Sequence, residues 1–135
     1  MDMLQANNMS RSLKALCDVN RIRILEILVR GEFCVSDLVD QLEIDQPKVS
    51  HHLAILRSAS VIRSRRDGRH INYSIQPNVH SQTDGEDGPV DVFNLGELSV
   101  SFRFERPQQA GLDSARPPRE ANSNPDTPRE AGAGA

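Results

Sequence analysis

Chemistry is most legible in the stretch Gln46-Pro47-Lys48-Val49-Ser50-His51-His52-Leu53-Ala54-Ile55-Leu56-Arg57. Projected on a helix at about 100° per residue, Val49, Leu53 and Leu56 gather on one side. Gln46, Pro47, Ser50, His51, Ala54 and Ser58 gather on the other, with Arg57 at the edge. That polar side carries short hydrogen-bonding groups and few bulky ones. A helix of this profile can enter the major groove of DNA and present donors and acceptors to base edges. His51 and His52, though adjacent, differ in role: His51 faces out, and His52 lies nearer the buried flank. Close behind come Arg65, Arg66 and Arg69 around Asp67-Gly68, suited to phosphate or minor-groove contact. The candidate DNA-contacting set is therefore Gln46, Pro47, Lys48, Ser50, His51 and Arg57, together with Arg65, Arg66 and Arg69. Base reading is expected of Gln46, Lys48, Ser50 and His51.

Other chemistries fare less well. Ser50 beside two histidines is no catalytic triad, because adjacent helical residues point apart and no nucleophile elbow is present. No enzyme is expected. Cys17 and Cys34 are the only cysteines, with neither a disulfide framework nor a Cys-x-x-Cys zinc signature. Cys17, on an apolar stripe, reads as core. Cys34 reads as a buried or half-buried thiol; metal ligation and a redox switch are the competing roles. Asp84, Glu86, Asp87 and Asp91 do not follow the twelve-residue calcium-loop spacing and read as a solvated loop. No metal ligand and no cofactor are assigned.

A chain of 135 residues with 37% hydrophobic and 4% aromatic content suits a small domain with a tail rather than an enzyme with a deep pocket. The net charge of −3 conceals an asymmetry. Residues 1–76 carry eleven basic and nine acidic side chains; residues 77–135 carry five and ten. No apolar run approaches the roughly 18 residues of a membrane span, and Met1 to Ser10 lacks a signal-peptide core. A cytoplasmic location away from membranes is expected.

Four helices precede the arginine-rich segment. Leu13, Leu16 and Cys17 mark the first. Asp18 is an N-cap for the second, which carries Ile22, Leu25, Ile27, Leu28 and Val29 and stops at Gly31. Val35, Leu38, Val39 and Leu42 outline the third, with Ser36 and Asp37 in its first turn. Asp45 caps the fourth, which runs to about Ala59, with Pro47 in its first turn. Asp67-Gly68 between two strand-like runs signals a hairpin, pairing Arg66 with Arg69, Ser64 with Ile71 and Ile62 with Tyr73. One face then holds Ile62, Ile71, Tyr73 and Ile75; the other holds Val61, Arg63, Arg65, His70 and Asn72. Residues 76–89 have a loop composition. Leu98, Val100, Phe102 and Phe104 alternate with polar residues, as in a half-buried strand, and a second hairpin is expected there.

Leu13-Lys14-Ala15-Leu16-Cys17-Asp18-Val19-Asn20-Arg21-Ile22-Arg23-Ile24-Leu25, the Gln46–Arg57 stretch, Asp67-Gly68-Arg69 and Tyr73 together resemble the ArsR/SmtB family of bacterial transcriptional regulators. The resemblance covers roughly residues 11–76. It implies a dimeric DNA-binding repressor, usually released by a metal or metalloid ion or another small signal. Two departures matter. Many members carry two cysteines separated by one residue at the start of the third helix. Here Cys34 keeps the first place and Ser36 takes the second, so Cys17, His70, His80 or a partner chain would have to complete any soft-metal site. The family's fifth helix often pairs the dimer and carries a carboxylate–His zinc site. Pro77, Gly85, Gly88, Pro89 and Gly96 argue against a regular helix here, so that zinc site is not carried over.

The expected architecture is a mainly α winged helix-turn-helix with a β wing over residues 1–76. A loop and β-rich extension follow over 77–105, and a disordered tail over 106–135. The expected function is sequence-specific transcriptional regulation by a homodimer on a palindromic double-stranded operator, with relief by a metal, redox or other small signal. The alternative is a winged-helix protein-interaction module that does not bind DNA alone.

Overall fold

The computed structural model describes residues 1–105; the tail assigned to 106–135 lies outside the described residues. Helix α1 spans Met3–Leu16, longer than its short apolar stripe suggests. Its start is set by a reciprocal cap. The Asp2 carboxylate accepts from the Gln5 N–H at 2.9 Å, and the Gln5 side chain accepts from the Asp2 N–H at 2.8 Å, satisfying two orphan donors. Cys17 follows the last turn and is exposed, so it is not the core residue expected. The stripe ends at Leu16 because the backbone leaves the helix there.

Helix α2, Val19–Leu28, begins on Asp18, whose carboxylate accepts from the N–H groups of Asn20 and Arg21. It buries Ile24, Leu25, Ile27 and Leu28. Strand β1, Phe33–Cys34, leads into α3, Val35–Leu42. Glu43 then adopts a left-handed backbone, φ 59°, and the chain turns through Ile44 and Asp45 into α4, Gln46–Ser58. Asp45 occupies the N-cap position, but its side chain makes no capping bond; its carbonyl accepts from Lys48 and Val49. Val49, Leu53 and Leu56 are essentially inaccessible to water, as the helical projection requires. They share one core with Ile24, Leu25, Leu28, Leu38 and Leu42.

The wing is β2, Ile62–Asp67, and β3, His70–Ile75, with β1 on the other side of β3. Asp67 pairs with His70, Arg66 with Ile71, Ser64 with Tyr73 and Ile62 with Ile75. The register thus differs by two positions from that expected, and the turn residues are Gly68 and Arg69. Gly68 alone has positive φ, +65°. That is the pattern of a hairpin turn with glycine at its first central position, whereas an Asp67-Gly68 turn of the mirror-image type needs both residues there. Because the difference is even, every side chain keeps its expected face. Val61 is the exception: it precedes the strand, is fully buried, and its carbonyl accepts from Gln76.

Residues 76–89 are not all loop. Strand β4, His80–Gly85, pairs antiparallel with β5, Gly88–Leu95, and β5 with β6, Leu98–Phe102. The strand β4 was hidden because its side chains are mostly exposed and polar; it is held by pairing, not by an apolar face. No helix follows α4 among the described residues. Phe93, Leu95 and Val79 join the main core, and the Asn94 N–H donates to the Val79 carbonyl at 2.7 Å. No helix of the described chain is long and apolar enough to cross a membrane.

Removing a buried leucine leaves a cavity. Leu53→Ala should therefore lower unfolding stability by about 2–5 kcal/mol. Arg57→Ala on the exposed side of the same helix should change it by less than about 0.5 kcal/mol. Urea titration of both variants checks the contrast.

Candidate nucleic-acid interface

Helix α4 is seated by its buried side, so its opposite side stands clear of the protein. Gln46, Pro47, Lys48, Ser50, His51, Ala54, Arg57 and Ser58 are all exposed. The structure thus brings the six helical candidates together on one element. Pro47 stands in the first turn, where a missing N–H costs least.

On the wing, Arg66 and Arg69 are exposed at the tip. Arg65 is also exposed but is engaged: Nε donates to Glu32 Oε2 at 3.1 Å and Nη2 to Glu32 Oε1 at 2.7 Å. This paired hydrogen bonding raises the Arg65 pKa further, so Arg65 remains a cation with its inner edge spoken for. It braces the hairpin against the segment before β1. Sequence spacing could not reveal this, because Glu32 lies 33 residues away.

A group missed by sequence reading lies behind α4. Arg21 Nη1 donates to His52 Nδ1 at 3.1 Å, while its Nε and Nη2 donate to the carbonyls of Ala15 and Lys14 at 2.7 and 3.1 Å. Arginine has no acceptor, so His52 receives through Nδ1 and is neutral. Burial lowers the His52 pKa, the charge of Arg21 and of His51 lowers it further, and Asp18 opposes them. Burial works to raise the Asp18 carboxyl, yet the backbone N–H groups of Arg21 and Asn20 hold it below 3.8. The only sequence signal was the expected placement of His52 at the buried flank.

Cys34 is buried. Both its N–H and its thiol lie 3.3 Å from Asp37 Oδ2 and donate to it, which caps α3. Burial, with the Asp37 charge beside it, pushes the thiol above its ordinary 9.0. His80 Nε2 lies 2.8 Å from Asp91 Oδ1, and Gln82 donates to the same oxygen. Asp91 is fully buried, contrary to its expected place in a solvated loop; pairing of β4 with β5 places His80 and Gln82 over it. Among the described residues no three His, Cys, Asp or Glu side chains stand together as metal ligands. With Ser36 at the second thiol position, Cys34 is a single thiol without the further thiolate or imidazole ligands that a soft metal needs, so the described residues do not fit one.

A helix-turn-helix followed by a basic hairpin defines a winged helix-turn-helix protein. The profile described as bacterial regulatory protein, arsR family, matches residues 18–64. Arsenic resistance transcriptional regulator ArsR1 of Pseudomonas putida is 42% identical over 101 residues, which cover 70% of this chain and 79% of that protein. The transcriptional repressor SmtB homolog of Synechocystis sp. is 40% identical over 78 residues, covering 58% of this chain and 59% of that protein. A homodimeric winged helix-turn-helix DNA-binding domain from Mycobacterium bovis superposes with a TM-score of 0.51 at 28% identity, over 52% of this chain and 65% of the other. The chain belongs to the arsR family of bacterial regulatory proteins.

Two solution measurements follow. The folded chain binds the His52 proton more weakly than the unfolded chain does. That contribution to stability is therefore complete above the ordinary histidine value of 6.5 and declines as the pH falls below it. Melting temperature should drop between neutral pH and about pH 5.5, and less so in His52→Gln. Second, exposed Cys17 should react with a maleimide at least about tenfold faster than Cys34. Peptide mapping of a timed labelling reaction, with and without denaturant, checks this.

Proposed function

We propose that this chain is a sequence-specific transcriptional repressor that binds double-stranded DNA as a homodimer. The observation that carries the reading is the exposed side of α4, where Gln46, Lys48, Ser50 and His51 stand together with no bulky apolar side chain among them. Such a helix presents hydrogen-bonding groups to base edges in the major groove. Pro47 shapes its first turn, and Arg57 adds charge at its edge. Arg66 and Arg69 at the wing tip supply contacts to phosphates, which are largely independent of sequence. Arg65 contributes its charge while holding Glu32 and sets where the tip stands.

Residues 1–76 form the DNA-binding unit in this reading, and residues 77–105 extend it with the second sheet. The two share one core through Val79, Phe93 and Leu95. The likeness to the Pseudomonas regulator covers 70% of the chain, more than residues 1–76 could supply. A second copy covers the apolar side chains left exposed on α1, among them Met3, Leu4 and Leu13, with residues 90–104 contributing beside them. Two-fold symmetry then calls for a palindromic operator with half-sites about one helical turn, or a multiple, apart. The relatives named above include an arsenic resistance regulator. In this chain a small signal would have to act without a thiolate pair at the start of α3.

The test is fluorescence-anisotropy binding to a duplex selected by the full chain from a randomised pool, with a scrambled duplex as control. His51→Ala should weaken binding to the selected duplex by about 1–3 kcal/mol and leave the scrambled duplex nearly unaffected. Arg69→Ala should weaken both and reduce the salt slope by about one. Equal losses on both duplexes from His51→Ala would contradict base reading. Absence of any duplex binding at low salt would favour a protein-interaction module.

A further inference from the structure

Helix α4 is attached to the fold by the apolar packing of Val49, Leu53 and Leu56, which sets its depth and its outward side. A polar joint adds directional contacts at its flank. The Arg21 guanidinium, in the first turn of α2, holds the carbonyls of Lys14 and Ala15 at the end of α1 and the Nδ1 of His52 on α4. Three helices therefore meet on one planar, charged group, whose fork of donors fixes direction as well as distance.

The same ring nitrogen has a second neighbour. His52 Nδ1 lies 3.9 Å from Asp18 Oδ1, the capping carboxylate of α2. A neutral ring accepts from Arg21. A protonated ring has no lone pair at Nδ1; it must leave Arg21 and can donate to Asp18. The groups facing the ring are Asp18, the N-cap of α2, Arg21 in α2 and His51 on α4, whose ring centroid is 5.5 Å away. Helix α1 meets the joint through backbone carbonyls. His52 is mostly buried while His51 is exposed, so the two histidines separate into a positioning group and a contact group.

We infer that Arg21 is a positioning residue for DNA recognition, acting through His52, and that protonation of His52 releases the base-reading helix from this joint. The inference rests on the reading of α4 as the base-reading helix. Specific binding needs α4 held in one pose against the base edges, whereas non-specific binding needs only charge near the phosphates. Loss of the joint therefore lowers the ratio of specific to non-specific affinity. It also makes that ratio depend on pH in the range where histidine titrates.

The experiment measures this ratio by anisotropy for the full chain, using the selected and scrambled duplexes, from pH 8 down to pH 5.5, with circular dichroism at each point to verify folding. The wild-type ratio should fall about tenfold across the range. His52→Gln, whose amide oxygen can still accept from Arg21, should keep a high ratio that no longer changes with pH. Arg21→Lys should show a ratio lowered about tenfold at pH 8, with the scrambled duplex bound as before. His52→Ala, where folded, should behave likewise. The inference is overturned if His52→Gln titrates as the wild type does, or if Arg21→Lys keeps the wild-type ratio. It is also overturned if pH dependence disappears in His51→Gln but persists in His52→Gln. Failure of the underlying reading looks different: His51→Ala would then leave the ratio unchanged too.

Discussion

Val49, Leu53 and Leu56 lie on one side of α4 and are removed from water almost completely. Each such side chain contributes roughly 1.5–3 kcal/mol by burial. They meet Leu38 and Leu42 of α3 and Ile24, Leu25 and Leu28 of α2 in one core. This packing decides which side of α4 can face a partner. A helix that buries one row of side chains must present the opposite row, and here the opposite row is polar and short. The left-handed turn at Glu43 sets α3 at an angle to α4 and leaves that outer row uncovered. The rest of the architecture adjusts around this arrangement.

Polar contacts then refine what apolar burial leaves loose. Arg21 gathers the end of α1 and the flank of α4. Arg23 donates to the last carbonyl of α3, at Leu42. Arg65 ties the hairpin to Glu32. The arginines of the N-terminal half thus divide into braces and exposed cations. Composition counts them alike, yet only those without a carboxylate or carbonyl partner keep all their donors for phosphate. Net charge is therefore a poor guide to the interface, since Arg21, Arg23 and Arg65 direct donors to groups of the protein itself.

The second sheet gives this chain a different C-terminal half from a purely helical regulator. It is a meander whose inner side chains, Phe93 and Leu95, enter the main core with Val79. Phe93 meets Phe102 edge-to-face at 5.5 Å, and Phe102 stacks on Phe104 at 5.0 Å. The buried Asp91 is accommodated because His80 and Gln82 reach its carboxylate from the neighbouring strand. A buried charge without such partners would be strongly unfavourable. The sheet consequently depends on β4, the strand with the weakest apolar pattern of its own.

Local rules were enough for much of this. The period of 3.6 placed Val49, Leu53 and Leu56 inward and Ser50 and His51 outward, and Asp18 announced the start of α2. The alternation around Asp67-Gly68 announced the wing and assigned its faces. These features depend on neighbours within a turn or a strand pair, so they are written in adjacent residues. The exact register of the wing, the strand nature of residues 80–85, the exposure of Cys17 and the burial of Asp91 were not. Each is settled by the pairing of neighbouring strands or by where the backbone turns: Gly68 at positive φ, β5 alongside β4, His80 over Asp91, and the end of α1 before Cys17. The sequence by itself determined a winged helix-turn-helix and the outward side of its fourth helix, because hydrophobic periodicity is a local property. Only the tertiary structure decided which arginines are braces and which histidine is held, because hydrogen-bond partners are chosen by distance in space rather than by separation along the chain.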